Sequence, residues 1–202
     1  MTKVKMCGLT RAEDIAAVNV LQPEYIGFVF VSKSKRYITK QQAASLRTRV
    51  DKTIKVVGVF VDEDVKVVAE YLNCGIIDLA QLHGQEDDAY IARLRAVTDK
   101  PVIKAFRVRT IEDIQKAQNS AADMILLDAG AGDGKTFDWS LVRTVTRPYF
   151  LAGGLAPDNA GQAIAALHPF ALDVSSGIET DGHKDKKKMA AFMAAVRKEE
   201  DQ

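Results

Sequence analysis

Eight short apolar runs, separated by longer amphipathic stretches, dominate this sequence of 202 residues. The runs are rich in Val, Ile and Phe and lack strict alternation with polar residues, which is typical of strands covered on both faces. They are Val4–Cys7, Tyr25–Val31, Lys55–Val61, Ile76–Leu82, Pro101–Phe106, Met124–Asp128, Tyr149–Ala152 and Ala171–Val174. Between them, apolar residues recur every three or four positions, as at Ile111, Ile114 and Ala117. This alternation predicts parallel strands joined by right-handed helical crossovers.

Eight strand–helix units can close into a barrel or lie open as a doubly wound sheet. The count of eight favours closure, and 202 residues is near the lower size limit of such barrels. No Pro- or Ser-rich linker and no low-complexity tract interrupts the chain. We therefore expect an α/β protein, a single-domain (β/α)8 TIM barrel over residues 1–202, with eight strands and eight helices.

The charge balance argues against nucleic-acid and membrane partners. There are 28 basic and 27 acidic side chains, so the net charge of about +1 creates no field that attracts a polyanion. No apolar run approaches the ~18 to 20 residues that span a bilayer, and the polar N-terminus does not resemble a signal peptide. The two cysteines fit a reducing compartment. We expect a cytoplasmic protein with no nucleic-acid or membrane partner.

The loops after strands 7 and 8 carry the clearest signal of a binding site. In parallel barrels the active site lies at the carboxyl ends of the strands, and phosphate is often bound after strands 7 and 8. Here Gly153 and Gly154 follow strand 7, and Ser175, Ser176 and Gly177 follow strand 8. Glycines allow bare backbone N–H groups to approach an anion. The alternative is that they only form tight turns, but two such loops in succession favour a phosphate site.

Four other strand ends carry candidate chemistry, each with a simpler alternative. Cys7 is a candidate base if its pKa is lowered, or else a small buried apolar residue. Asp128 is a candidate general acid, or a residue that forms a turn. Arg36, in a cationic loop, can hold an anionic substrate group, although most such loops are only solvated. His83 is a rim contact or an orienting residue, whereas Cys74 is expected to be structural.

Two other motifs are expected to have no binding role. The run Gly130–Thr136 resembles a nucleotide-binding P-loop, but Ala129 stands where that motif needs glycine. The lysine-rich run Lys184–Lys188 has no interleaved aromatic residues, so we expect it to be the solvated start of the last helix. The first strand also lacks a dinucleotide-binding Gly-x-Gly-x-x-Gly.

Six short motifs, in the same order along the whole chain, resemble those of the phosphoribosylanthranilate isomerases, a family of the tryptophan pathway. The motifs are Lys5–Arg11, Ser34–Tyr37, Gln81–Gly84, Gly134–Trp139, Gly153–Leu155 and Asp173–Glu179. The resemblance implies a (β/α)8 barrel that isomerises N-(5′-phosphoribosyl)anthranilate by an Amadori rearrangement, without a cofactor or metal. The sequence departs from the family in the loop after strand 6, which is shorter than in many relatives.

The resemblance also implies roles for individual residues. Cys7 corresponds to the general base, Asp128 to the general acid and Arg36 to the arginine that contacts the anthranilate. The phosphate-binding backbone corresponds to Gly154 and Gly177 with their neighbours. Together with Arg36, the residues that we predict to bind the phosphorylated small-molecule substrate are His83, Gly153, Gly154, Asp173, Ser176 and Gly177. No metal ligands and no cofactor are expected, and the expected assembly is a monomer or weak homodimer.

Related barrels and a binding-only barrel fit the sequence less well. Ribulose-phosphate epimerases need two His and two Asp as metal ligands at strand ends, and here only His83 lies at such an end. An indole-glycerol-phosphate synthase needs a catalytic lysine on a strand and an additional N-terminal segment. A non-catalytic barrel would retain the phosphate loops but lose the acid or the base, and this chain has both Cys7 and Asp128.

Overall fold

The computed structural model describes residues 1–128 and 139–200, and it shows a closed barrel of eight parallel strands. The strands follow one another around the barrel in chain order, from β1 to β8, and β8 pairs with β1. Their bounds are β1 Lys3–Cys7, β2 Tyr25–Val29, β3 Lys55–Phe60, β4 Leu79–Leu82, β5 Val102–Arg107, β6 Met124–Asp128, β7 Tyr149–Ala152 and β8 Ala171–Val174. The predicted α/β TIM barrel is therefore confirmed.

Seven α-helices cover the barrel in the described ranges. They are α1 Ala12–Leu21, α2 Lys40–Arg47, α3 Val65–Asn73, α4 Asp88–Arg95, α5 Ile111–Asn119, α6 Ala160–Leu167 and α7 Lys186–Glu200. Side chains at the predicted starts accept hydrogen bonds from the first helical turn, as Thr110 does from the Asp113 N–H at the start of α5. No described helix is long and apolar enough to cross a membrane.

The prediction of a helix between β6 and β7 was wrong for the described part of that connection. Residues 139–148 contain only a 3-10 helix, Val142–Thr144. Val and Thr are frequent there and Pro148 follows, a composition that disfavours a longer helix. The P-loop-like run Gly130–Thr136 lies outside the described residues.

The strands bury apolar side chains on both faces. Residues that point outward, such as Met6 and Phe28, pack under the helices, whereas Leu79, Phe150 and Ala171 fill the barrel interior. Because successive side chains of a strand alternate between faces, the residue two positions further along points inward again. On β4 and β8 those residues are polar, Gln81 and Asp173, and both line a cavity at the carboxyl ends of the strands. An apolar interior thus supports a polar cavity floor.

After β8 the chain folds over the mouth of the barrel. A 3-10 helix, Ser176–Ile178, leads into a small antiparallel hairpin formed by β9, Glu179–Thr180, and β10, His183–Lys184. The N–H of Asp185 donates to the Ile178 carbonyl at 2.9 Å, which holds the hairpin against the 3-10 helix just before α7 begins. This hairpin brings charged side chains to the mouth.

Candidate active site

A cavity of about 450 Å³ opens at the carboxyl ends of the strands. It brings together eight of the nine predicted site residues, namely Cys7, Arg36, His83, Asp128, Gly153, Gly154, Asp173 and Ser176. All nine lie in the described ranges, and only Gly177 is not part of the lining. Strands far apart in the sequence therefore place a thiol, a carboxyl group, an imidazole and a guanidinium around one space.

Cys7 ends β1 and is 8% exposed, with its thiol at the cavity. Its register partner on β2 is Gly27. A Cβ atom built at Gly27 would lie only 2.6 Å from the Cys7 Sγ, so the glycine provides the space that the thiol occupies. Gly27 was not among the predicted site residues, although a glycine inside a strand often marks such a close approach.

Burial raises the pKa of the Cys7 thiol above its ordinary value. The Lys5 ammonium acts in the opposite direction, the Asp173 carboxylate reinforces the rise, and Lys184 lowers the pKa again. Burial thus favours the neutral thiol, whereas the nearby positive charges of Lys5 and Lys184 favour the thiolate.

Directly beneath Cys7, Lys5 and Asp173 form a buried ion pair. The two residues are register partners on β1 and β8, and the Lys5 Nζ lies 2.9 Å from the Asp173 Oδ2. The Lys5 side chain is completely buried. Within the described part of the chain, the buried Asp173 Oδ1 has no hydrogen-bond partner. Asp173 was predicted to bind substrate, whereas the partnership with Lys5 was missed; the available signal was a lysine inside an apolar strand, two positions before Cys7.

Asp128 ends β6 on the other side of the cavity and lies beside His83. The His83 Nε2 is 3.4 Å from the Asp128 Oδ2, and the His83 Nδ1 is 3.1 Å from the amide nitrogen of Gln81. When the Gln81 amide donates to Nδ1, the imidazole proton is on Nε2 and points towards Asp128. Gln81 is buried and had no predicted role. Of the two alternatives left open for His83, a rim contact and an orienting residue, the arrangement favours the orienting role, and its predicted contact with substrate stays a prediction.

Arg36 is held by Glu179 in a two-point ion pair. The Arg36 Nε lies 2.7 Å from the Glu179 Oε1, and the Nη2 lies 2.7 Å from the Oε2. The arginine side chain passes over Gly8, where a Cβ atom would approach the Arg36 Cδ to 2.3 Å. Gly8 also has a left-handed φ of 81°, so two independent features require glycine there. Glu179 is the last residue of the motif Asp173–Glu179, but no role was predicted for it.

The expectation that the whole run Lys184–Lys188 is solvated was wrong for Lys184. Lys184 lies in β10, and its buried Nζ is 2.6 Å from the Glu179 Oε1 and 2.9 Å from the Ser175 carbonyl oxygen. The hairpin folds back over the barrel, so Lys184 faces inward although the lysines that begin α7 are exposed. Glu179 therefore lies between two cations.

The loops after β7 and β8 also line the cavity. Gly153 and Gly154 have φ values of 99° and 65°, a left-handed conformation that favours glycine. The Asn159 side-chain amide donates to the Gly154 carbonyl at 2.9 Å, which fixes the loop. Gly177 contributes packing, because a Cβ atom there would lie 1.9 Å from the Leu155 carbonyl oxygen. It joins the two loops without lining the cavity.

Residues 1–128 and 139–200 contain no group of three or more His, Cys, Asp and Glu side chains that could hold a metal ion. The expected independence from metals and cofactors stays a prediction. The chemistry that the cavity presents is a thiol, carboxyl groups, an imidazole, a guanidinium and the loops after β7 and β8.

Comparisons with known proteins show the family of the chain. The family model described as N-(5'phosphoribosyl)anthranilate (PRA) isomerase matches residues 4–195. A curated N-(5'-phosphoribosyl)anthranilate isomerase of Clostridium acetobutylicum is 42% identical, covering 98% of this chain and 99% of that protein. The crystal structure of phosphoribosyl anthranilate isomerase from Thermotoga maritima has a TM-score of 0.90 at 35% identity, covering 98% of this chain and 100% of the other.

A second solved structure is that of a complex with a ligand. It is phosphoribosyl anthranilate isomerase in complex with reduced 1-(o-carboxyphenylamino)-1-deoxyribulose 5-phosphate, with a TM-score of 0.88 at 35% identity and coverage of 98% and 100%. Both the sequence and the fold match over nearly the whole length. The chain belongs to the N-(5'-phosphoribosyl)anthranilate isomerase family.

Proposed function

We propose that this protein converts N-(5′-phosphoribosyl)anthranilate to 1-(2-carboxyphenylamino)-1-deoxyribulose 5-phosphate, an isomerisation of tryptophan biosynthesis. The observation that carries the proposal is the pairing of Cys7 and Asp128, from β1 and β6, on the lining of one cavity in a member of this family. A general base and a general acid around one substrate are what this rearrangement requires.

The two ends of the cavity suit the two charged ends of the substrate. The left-handed Gly153 and Gly154, together with Ser176, offer a rim with accessible backbone to a phosphate. Arg36 lines the cavity and offers its guanidinium to the anthranilate carboxylate. Anchoring both ends holds the sugar between the acid and the base, which lowers the entropic part of the barrier.

The reaction follows from these positions. Asp128 donates a proton to the furanose ring oxygen, the bond between that oxygen and C1′ breaks, and the nitrogen lone pair forms an iminium with C1′. The Cys7 thiolate then removes the proton from C2′, and the electron pair of that bond forms a C1′=C2′ double bond while the nitrogen becomes neutral. The resulting enol tautomerises to the aminoketone. His83, 3.4 Å from Asp128, orients the acid.

The remaining expectations concern assembly and location. The protein is expected to be a monomer or weak homodimer in the cytoplasm, acting on a phosphorylated small molecule. Sedimentation equilibrium over a hundredfold range of protein concentration tests the assembly. A constant mass of one chain or a concentration-dependent dimer supports the expectation, and a stable larger oligomer contradicts it.

The proposed activity has a direct optical test. Freshly prepared N-(5′-phosphoribosyl)anthranilate is mixed with the purified protein, and the decay of its anthranilate-type fluorescence is followed. Chromatography separates the isomeric product from anthranilate released by spontaneous hydrolysis. We expect consumption well above the uncatalysed rate, with the deoxyribulose phosphate as product. Folded protein that leaves the substrate at its spontaneous rate of decay would contradict the proposed function.

A further inference from the structure

Lys5 is a buried cation that the reaction steps above do not use. It lies two positions before Cys7 on β1, so the two side chains point to the same interior face of the barrel. Two residues of a strand span roughly 7 Å between Cα atoms, and the Lys5 ammonium lies close enough to the Cys7 thiol to interact with it directly. The Lys5 side chain is completely buried and Cys7 is 8% exposed, so little water separates them.

The structure keeps Lys5 charged. Burial by itself would lower its pKa, but the Asp173 carboxylate 2.9 Å away and the nearby Cys7 raise it above the ordinary value. Lys5 is therefore an ammonium at neutral pH. An ammonium has three N–H donors, and Asp173 accepts one of them. A buried positive charge, fixed by its counter-ion, thus lies next to the thiol.

We propose that Lys5 is the positioning residue of the general base: its ammonium stabilises the Cys7 thiolate from beneath, and Asp173 holds the ammonium in place. The proposal rests on the proposed role of Cys7. It assigns the ion pair a catalytic purpose, because a thiolate buried without a counter-charge would be strongly disfavoured.

Other charged groups also face Cys7, and their effects are distinguishable. The charged or titratable groups that act on Cys7, line its cavity or pair with such a group are Lys5, Arg36, His83, Arg107, Asp128, Asp173, Glu179 and Lys184. Arg36 and Lys184 are both bound to Glu179, which offsets part of their positive charge. Among the groups that act on Cys7, Lys5 is the strongest that favours the thiolate. Removal of Lys5 should therefore leave the rise that burial causes in the pKa of Cys7 largely unopposed.

The pH dependence of Cys7 alkylation tests the proposal without requiring any isomerase activity. The parent protein carries Cys74→Ser, because Cys74 is exposed and would also react. Iodoacetamide reacts with the thiolate, so the rate of alkylation, followed by intact mass, reports the thiolate fraction at each pH. We expect Lys5→Met to raise the midpoint of the curve of alkylation rate against pH by at least one pH unit. Alkylation at pH 7 then becomes slower by about tenfold.

Lys104→Met is the matched control. Lys104 is also a buried strand lysine, and its Nζ lies 3.0 Å from the Glu86 Oε2, but it belongs to β5 and has no Cys7 interaction among the described contacts. Its loss removes a comparable ion pair, so it reproduces any general loosening of the fold. We expect its alkylation midpoint to match that of the parent.

A second variant covers the case in which Lys5→Met does not fold. Lys5→Met combined with Asp173→Asn removes both charges and leaves no buried charge unpaired. Because Lys5 affects the pKa of Cys7 more strongly than Asp173 does, the alkylation midpoint of the double variant should still lie above that of the parent. A folded single or double variant with the parent midpoint would overturn the proposal. That failure differs from a failure of the proposed function, which appears as unconsumed phosphoribosylanthranilate.

Discussion

The Arg36 guanidinium and the Glu179 carboxylate face each other edge to edge, with both nitrogen–oxygen distances at 2.7 Å. A two-point pair of this kind fixes the plane of the guanidinium as well as its position. It occupies Nε and one Nη2 donor, and Arg36 also lines the cavity. Glu179 is held in turn by Lys184, which donates to the backbone of Ser175. The segment after β8 thus holds the arginine that we propose as the anthranilate contact.

The first prediction concerns the anthranilate carboxylate. Arg36→Met should raise the KM for phosphoribosylanthranilate by about tenfold to a hundredfold, because a charge-assisted hydrogen bond contributes about 1.5 to 3 kcal/mol. The kcat should change much less, since Cys7 and Asp128 are untouched. Steady-state kinetics with a phosphoribosylaniline lacking the carboxylate provides the control. The carboxylate role is wrong if the variant loses as much activity on that analogue as on the natural substrate.

The second prediction concerns the pH dependence of stability. Burial tends to raise the pKa of Glu179, but hydrogen bonds from Arg36 and Lys184 outweigh it and hold the pKa below the ordinary 4.5. The resulting stabilisation is fully present above that ordinary pKa and is lost as the pH falls through the lower folded value. Glu179→Gln should therefore lower the free energy of unfolding by roughly 2 to 4 kcal/mol at pH 7, because it breaks a buried pair, and by less at pH 3.

Urea unfolding at both pH values measures this difference. Glu70→Gln, which removes the partner of Lys40 in an exposed ion pair, is the control and should change stability by about 1 kcal/mol or less. If the free energies of unfolding of wild type and Glu179→Gln differed as much at pH 3 as at pH 7, the loss of stability would not come from the ion pairs of Glu179.

The third prediction compares two glycines inside strands. A Cβ atom at Gly27 would lie 2.6 Å from the Cys7 Sγ, and one at Gly58 would lie 2.6 Å from the Ile77 Cδ1. Both alanine variants should lose stability, by about 1 to 3 kcal/mol for overpacking. Only Gly27→Ala should lower kcat, because only it displaces the thiol. Equal kcat values for two folded variants would show that the position of the thiol is not critical.

The fourth prediction concerns the joint between the loops after β7 and β8. We expect Gly177→Val to raise the KM, and the structure supplies the reason: its Cβ would lie 1.9 Å from the Leu155 carbonyl oxygen and would push the two loops apart. Melting temperature should also fall. Gly182→Ala is the control. A Cβ atom at Gly182 would have nothing within 4 Å, so this variant tests the left-handed φ of 78° without a steric clash. A normal KM in a folded Gly177→Val would place the phosphate elsewhere.

The sequence predicted correctly the features that depend on local patterns or on the general topology of parallel barrels. Apolar runs mark the strands, and the barrel rule brings Cys7 and Asp128 to one mouth although they lie 121 positions apart in the sequence (128 − 7). Pairings across strands were missed, because the contact of Lys5 with Asp173 depends on the register of β1 and β8. Lys184 was misjudged for the same reason: its neighbours are solvated lysines, and only the hairpin turns it inward.

The proposed function depends on Cys7 and Asp128 acting together as base and acid on phosphoribosylanthranilate. The most direct measurement is the kcat of Cys7→Ser and Asp128→Asn in the fluorescence assay, alongside their melting temperatures. A hydroxyl is a far weaker acid than a thiol of pKa about 8.5 and leaves little base at neutral pH, and an amide cannot deliver a proton. We predict that each variant loses at least about a hundredfold in kcat with a modest change in KM and a melting temperature within a few degrees of wild type. A folded Cys7→Ser that retained most of its turnover would contradict the account.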